Sequence, residues 1–183
     1  MDYQPTAVDG AYVVSLQPRG DDRGFFARVF CAAEFAGHGL DAAIAQINTS
    51  LSVAAGTLRG LHYQLAPHAE SKLVRCIRGS AFDVVLDLRP DSPSFGRWAG
   101  ATLSADNRQM MFVPRGCAHA FLTLEDNTEM FYTASAAYAG AAERIVRWND
   151  PRFAIAWPRP PVVLSDKDAA APDFDPAWHL AQG

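Results

Sequence analysis

The stretch Ala81-Phe82-Asp83-Val84-Val85-Leu86-Asp87-Leu88 decides the fold class. Phe82, Val84, Leu86 and Leu88 share one face, and Asp83 and Asp87 lie on the other. Period-two alternation marks a strand, because successive side chains of an extended chain point to opposite sides. Working outward, Val74 to Ile77, Gln109 to Val113, Ala120 to Leu124 and Glu129 to Thr133 also read as short strands. Turn formers separate them: Pro18 to Gly24, Gly79, Pro90-Asp91-Ser92-Pro93, Pro114-Arg115-Gly116 and Glu125-Asp126-Asn127. Helix is confined to Ala32 to His38 and a short piece after Ala169. Many short strands with Gly and Pro turns predict an all-β jelly-roll sandwich or barrel with a few short helices.

The chain has 183 residues with no internal repeat and no low-complexity linker. That length suits one domain over 1–183, with 159–183, rich in Pro, Ala and Asp, as a C-terminal segment wrapping the barrel. Hydrophobic residues make up 49% and charged residues 20%, an ordinary globular balance. A formal net charge of -4 argues against nucleic acid or an anionic membrane as main partner, so an anionic substrate must be met by local Arg and Lys. No apolar run is long enough to span a bilayer, and Met1-Asp2-Tyr3-Gln4-Pro5 lacks the regions of a signal peptide, so a cytoplasmic protein is expected. Cys31, Cys76 and Cys117 are too scattered for a disulfide framework or a zinc site and are expected as free thiols.

Two of the five histidines lie in strand-like context beside glycines. They are His62 in Leu58-Arg59-Gly60-Leu61-His62-Tyr63-Gln64 and His119 in Pro114-Arg115-Gly116-Cys117-Ala118-His119. The spacing Pro-x-Gly-x-x-His resembles the second motif of cupins, where the His is often a metal ligand. A metal cupin supplies two more histidines at His-x-His spacing and a carboxylate. Here Tyr63 and Gln64 follow His62, which leaves a poor transition-metal shell, and no metal is expected.

Unligated imidazole titrates near neutral pH and can accept a proton. Removing a proton from carbon beside a carbonyl requires a base and a cation or donor at the developing enolate oxygen. Inverting that carbon requires an acid on the opposite face. A matching set is His62 as base, Lys72 as enolate stabiliser and Tyr132 as acid, with Asp168 as a candidate partner for the imidazole.

Taken in order, the motifs resemble the dTDP-4-dehydrorhamnose 3,5-epimerase family over nearly the whole chain. They are Asp22-Arg23-Gly24-Phe25-Phe26, the Leu58 to Gln64 segment, Lys72-Leu73-Val74-Arg75, and Phe82-Asp83-Val84 with Asp87-Leu88-Arg89. Ser92 to Trp98, Leu103 to Asn107, the Pro114 to His119 segment, Glu143 to Pro151 and Leu164-Ser165-Asp166-Lys167-Asp168 follow. The resemblance implies a cupin-like jelly roll and a cofactor-free, strand-exchanged homodimer acting on a nucleoside-diphosphate 4-keto-6-deoxy sugar. It implies His62 as base, Asp168 as its partner, Tyr132 as opposing acid, Lys72 at the keto oxygen and His119 lining the pocket. Arg23, Phe26, Arg59, Gln46 and Asn48 match nucleotide-side positions.

Arg28 stands where the family usually has Glu, and Gln46-Ile47-Asn48-Thr49 where it usually reads Gln-Asp-Asn-His. Ala137-Tyr138 replaces a usual Tyr-Tyr pair bordering the sugar. A 3,5-epimerase of the rhamnose type and a mono-epimerase of another nucleotide sugar both fit. From other classes, a metal-dependent cupin enzyme predicts a required stoichiometric metal, and a silent sugar-nucleotide binding module predicts binding without carbon-bound proton exchange.

Overall fold

The computed structural model describes residues 1–181, so the last two residues of the expected 159–183 segment lie outside the described residues. In chain order the elements are β1 (Asp2–Pro5), β2 (Tyr12–Ser15), β3 (Arg19–Asp21), β4 (Gly24–Phe26), α1 (Ala32–Gly37), β5 (Gln46–Ser52), β6 (Leu58–Gln64) and β7 (Lys72–Arg78). They continue as β8 (Ser80–Asp87), β9 (Trp98–Ser104), β10 (Met110–Val113), β11 (Cys117–Thr123), β12 (Thr128–Ala134), β13 (Glu143–Ile145), α2 (Asp166–Ala169) and α3 (Pro176–His179). One sheet has the order β1-β2-β10-β7-β12-β5 and the other β13-β6-β11-β8-β9. The named strand pairs are antiparallel, and β3–β4 is a separate hairpin pairing only with itself. This is the expected all-β, jelly-roll type of architecture. No helix among the described residues is long and apolar enough to cross a membrane.

The chain passes between sheets at tight corners. At the β7–β8 corner Gly79 has φ +72°, and a Cβ there would stand 2.6 Å from Thr128 Oγ1. At the β11–β12 corner Asn127 takes φ 54°, a conformation its short polar side chain tolerates. The short helix expected after Ala169 is α3, and a second short helix, α2, precedes it. Ser165 accepts from Asp168 N and starts α2, while Asp175 accepts from Ala177 N with Pro176 at the head of α3.

Three apolar layers hold the sandwich. Val74, Cys76, Met111 and Met130 of the first sheet meet Val85, Cys117 and Phe121 of the second in the central layer. The outer face of the first sheet is covered by Phe35, Leu40 and N-terminal side chains. The outer face of the second carries Leu61, Tyr63, Val84, Leu86 and Ala118 under Phe153 and Phe174. The apolar face of the 81–88 strand therefore packs outward beneath the C-terminal segment, and Asp83 and Asp87 point between the sheets. Both carboxylates are fully buried. Residues near 162 also follow the second sheet: Val162 N donates to Gly56 O, and Thr57 forms a parallel bridge with Val163. His179, given no role by its sequence context, is buried and bonds the backbone of Asp175 and Ile145 through its two ring nitrogens. All three cysteines are free.

In β6, pairing with β11 runs His119 to His62 but Phe121 to Arg59, so one extra residue of β6 is accommodated between them. This bulge turns both Arg59 and His62 toward the space between the sheets, where strict alternation would separate residues three apart. Gly60, with φ +128°, makes it possible. A Cβ there would stand 2.3 Å from Ala120 Cβ and 2.6 Å from His119 O.

Asp87 is a second fixed point. Its Oδ2 accepts from Arg89 Nη2 at 2.7 Å and from Ser92 and Ser94 Oγ at 2.5 Å, while Oδ1 accepts from Arg89 Nε at 2.8 Å. Burial works to raise the Asp87 pKa, but these donors hold it at about 2. Replacing Gly60 by Ala should destabilise the fold by about 3 kcal/mol in urea titrations, because backbone atoms would have to move. Asp87→Asn should cost about 3 kcal/mol at neutral pH by orphaning the Arg89 guanidinium. The folded-state pKa of Asp87 is depressed, so its contribution is complete above the unfolded value near 4 and fades as pH falls toward 2. The gap between native and variant melting temperatures should narrow over that same window.

Candidate active site

A cavity opens between the sheets in two adjoining lobes of about 280 and 230 Å³. His62, Lys72 and Tyr132 line both lobes. His62 enters from β6 of the second sheet, and Tyr132 from β12 of the first. The imidazole and the phenol thus approach the cavity from opposite walls.

His62 Nε2 lies 2.5 Å from Asp168 Oδ1. Asp168 sits in α2, almost wholly buried, with its amide donating to Ser165 Oγ at 3.1 Å. Burial pushes its carboxyl pKa up, but the hydrogen bond and charge of His62 outweigh that and lower it. The ionised carboxylate favours the tautomer with the proton on Nε2, leaving Nδ1 as the acceptor. Lys72 opens β7, with its ammonium 3.0 Å from Glu70 Oε1. The Tyr132 pKa is raised by burial first and by the charge of Glu70 next, with Arg59 opposing. Its phenol therefore stays protonated at neutral pH.

His119 faces His62 across the β6–β11 pairing and lines the second lobe. Its Nε2 is 2.9 Å from Asp83 Oδ2. Burial raises the Asp83 pKa against the opposing pull of His119. Arg59 reaches the same lobe, donating to Ser52 Oγ and Leu51 O. Gln46 and Asn48 line the first lobe from β5. Tyr138 stands at the lip, 63% exposed, with its amide donating to Gln46 Oε1 and its hydroxyl to Glu143 Oε2 at 3.0 Å.

Nine of the twelve residues singled out from sequence thus converge on one cavity or its immediate wall. Arg23, Phe26 and Arg28 do not. Arg23 is 89% exposed and paired with Asp21, Phe26 projects from the β3–β4 hairpin, and Arg28 pairs with Glu34 at 3.6 Å. Four acids and bases of the site carried no assignment: Glu70, Asp83, Glu143 and Lys167. Glu143 binds Lys167 across the two lobes. The signal for Asp83 was its place on the polar face of an otherwise apolar strand. Glu143 and Lys167 lay within matched motifs. Glu70 stands two residues before Lys72, a spacing that puts both on one side of an extended chain. Among the described residues no three His, Cys, Asp or Glu converge as metal ligands. His62 and His119 instead each face a separate carboxylate.

Comparison with known proteins shows the family and the fold. The family profile described as dTDP-4-dehydrorhamnose 3,5-epimerase matches residues 5–176. A dTDP-4-dehydrorhamnose 3,5-epimerase of Sinorhizobium fredii is 44% identical over 167 residues, covering 90% of this chain and 86% of that protein. The crystal structure of a 3,5-epimerase from Legionella pneumophila, in complex with dTDP-4-keto-L-rhamnose, superposes with TM-score 0.89 at 36% identity, covering 100% of this chain and 98% of that one. A 3'-monoepimerase from Streptomyces bikiniensis, in complex with dTDP-quinovose, superposes with TM-score 0.83 at 36% identity, covering 92% and 86%. The chain belongs to the dTDP-4-dehydrorhamnose 3,5-epimerase family.

Proposed function

We propose that the protein epimerises a thymidine-diphosphate 4-keto-6-deoxy sugar at C3 and C5, in the manner that supplies rhamnose-type sugars. The observation that carries this reading is the His62–Asp168 pair at 2.5 Å, on the cavity wall opposite Tyr132. Nδ1 of His62 removes the proton beside the keto group, and Asp168 stabilises the imidazolium formed. Lys72 meets the charge that develops on the keto oxygen. Tyr132 delivers a proton from the other face, which inverts the carbon. His119, oriented by Asp83, lines the sugar pocket. No step calls for a cofactor.

Gln46, Asn48 and Arg59 form the nucleotide side within one chain, and Tyr138 at the lip borders the sugar. Arg23, Phe26 and Arg28 join the nucleotide side from a second copy, in a homodimer whose strands exchange. Several features support that assembly: the β3–β4 hairpin pairs only with itself, and Phe25, Phe26, Ile47 and Leu51 are exposed apolar side chains at 51%, 67%, 58% and 48%. The residues 1–183 act as one such domain.

The likeness to a monoepimerase makes the number of carbons inverted the decisive measurement. In deuterium oxide, dTDP-4-dehydro-6-deoxyglucose should acquire label at both C3 and C5. Label at one carbon assigns a mono-epimerase, and none with any of several nucleotide sugars would sink the proposal. His62→Asn and Asp168→Asn should each lower kcat on the order of 10³-fold. Tyr132→Phe should behave differently: His62 still takes and returns a proton on its own face, so label exchange persists while inversion is lost. Proton NMR of the sugar separates the two outcomes.

A further inference from the structure

We infer that Glu70 is a positioning residue for the epimerisation, holding the Lys72 ammonium over the cavity and setting the charge under which Tyr132 acts as acid. This rests on the roles proposed above for Lys72 and Tyr132. Glu70 lies just ahead of β7, and its side chain is 12% exposed. Its two oxygens have different partners. Oε1 is 3.0 Å from Lys72 Nζ, and Oε2 accepts from Gln64 Nε2 at 3.1 Å. Lys72 belongs to the first sheet and Gln64 to the second, so one carboxylate bridges the two walls of the cavity.

Gln64 extends the bridge to the lip. Its Oε1 accepts from Ala139 N at 2.5 Å, and its Nε2, which also donates to His68 O at 3.0 Å, lies 3.3 Å from Ala137 O. Tyr138 lies between those two residues. Glu70, Lys72 and the lip that presents Tyr138 are therefore one hydrogen-bonded unit. An ammonium on a four-carbon stem has three donors and many rotamers. Glu70 engages one donor and leaves two for an oxygen in the cavity.

Charge gives the second half of the inference. Around Tyr132 stand Lys72 on β7, Arg59 and His62 on β6, His119 on β11, and Lys167 on α2. Of these groups Arg59 is the cation that favours the phenolate, which cannot donate a proton. The acids that face this group are Asp168, already joined to His62, Glu143, already joined to Lys167, and Glu70. Glu70 is the acid whose charge raises the Tyr132 pKa, after burial itself. A phenol that must keep its proton beside Arg59 is helped by such a neighbour.

The test compares native enzyme, Glu70→Gln and Glu70→Ala in deuterium incorporation and epimerisation of dTDP-4-dehydro-6-deoxyglucose, from about pH 7 to 10, with thermal melts of each. Glu70→Gln keeps an acceptor for Lys72 but removes the charge. Its activity should fall with rising pH earlier than that of the native enzyme, with KM within about twofold. Glu70→Ala leaves Lys72 unheld and should lose about 10²-fold in kcat with little change in KM. A Glu70→Gln profile that superimposes on the native one, or a loss carried by KM alone, overturns the inference even if Glu70→Ala fails to fold. Native enzyme that incorporates no label overturns the epimerase reading instead, and this inference with it.

Discussion

Everything at the site depends on the close approach of β6 to β11 at Gly60. Two strands can come together there only where no Cβ intervenes, since one would stand 2.3 Å from Ala120 Cβ. The resulting bulge breaks the two-residue period and turns Arg59 and His62 to the same side. A guanidinium and an imidazole are thereby mounted on one side of one strand, though three residues apart. Across from them, β12 needs no irregularity to present Tyr132, because Met130 and Tyr132 share the inward face by simple alternation. The asymmetry is geometric: an irregular strand supplies the imidazole, and a regular one supplies the phenol.

Burial raises the pKa of each carboxylate between the sheets, and the donors around each decide the outcome. Asp87 has four donors within 2.8 Å and stays strongly acidic. Asp83 has one, from His119, with its other oxygen unpartnered, and burial prevails. Asp168 lies between these cases, lowered by the imidazole it orients. A strand that carries two buried acids contributes little to the central apolar layer on those positions. The stabilisation comes from its other face, where Phe153 and Phe174 cover Val84 and Leu86. The C-terminal segment therefore has two tasks. It seals the outside of the second sheet, and through α2 it delivers Asp168 to His62.

Period-two patterning made the strands legible, and their core positions with them. It did not reveal which face of the 81–88 strand points inward. Apolar residues usually face the core of a two-layer fold, yet here a third layer covers them and the acids take the interior. The His62 to Asp168 pairing spans 106 residues, and no local pattern encodes such a distance. It became legible only through the joint order of the motifs. Asp83, Glu143 and Lys167 were visible as residues but carried no sign of their partners. The short piece expected after Ala169 is α3. The helix at 166–169 had no signal in the sequence, because its start is set by one side-chain cap from Ser165 and not by any run of helix formers.

The three residues that lie apart from the cavity follow the same logic one level higher. Arg23 and Arg28 are cations placed on an exposed hairpin and its flank, beside two exposed phenylalanines. A phenylalanine two-thirds exposed loses the transfer free energy that burial would return, about 2 kcal/mol for a side chain of that size. Such an arrangement is stable in a chain whose hairpin finds its apolar contacts on another surface. The exposed apolar residues of edge strand β5, Ile47 and Leu51, offer one of matching character. The inner face of that same strand presents Gln46 and Asn48 to the cavity. In the homodimer proposed above, a second copy seated against β5 would bring its cations to the side of the pocket that carries Gln46 and Asn48, so assembly and substrate binding would share a single strand.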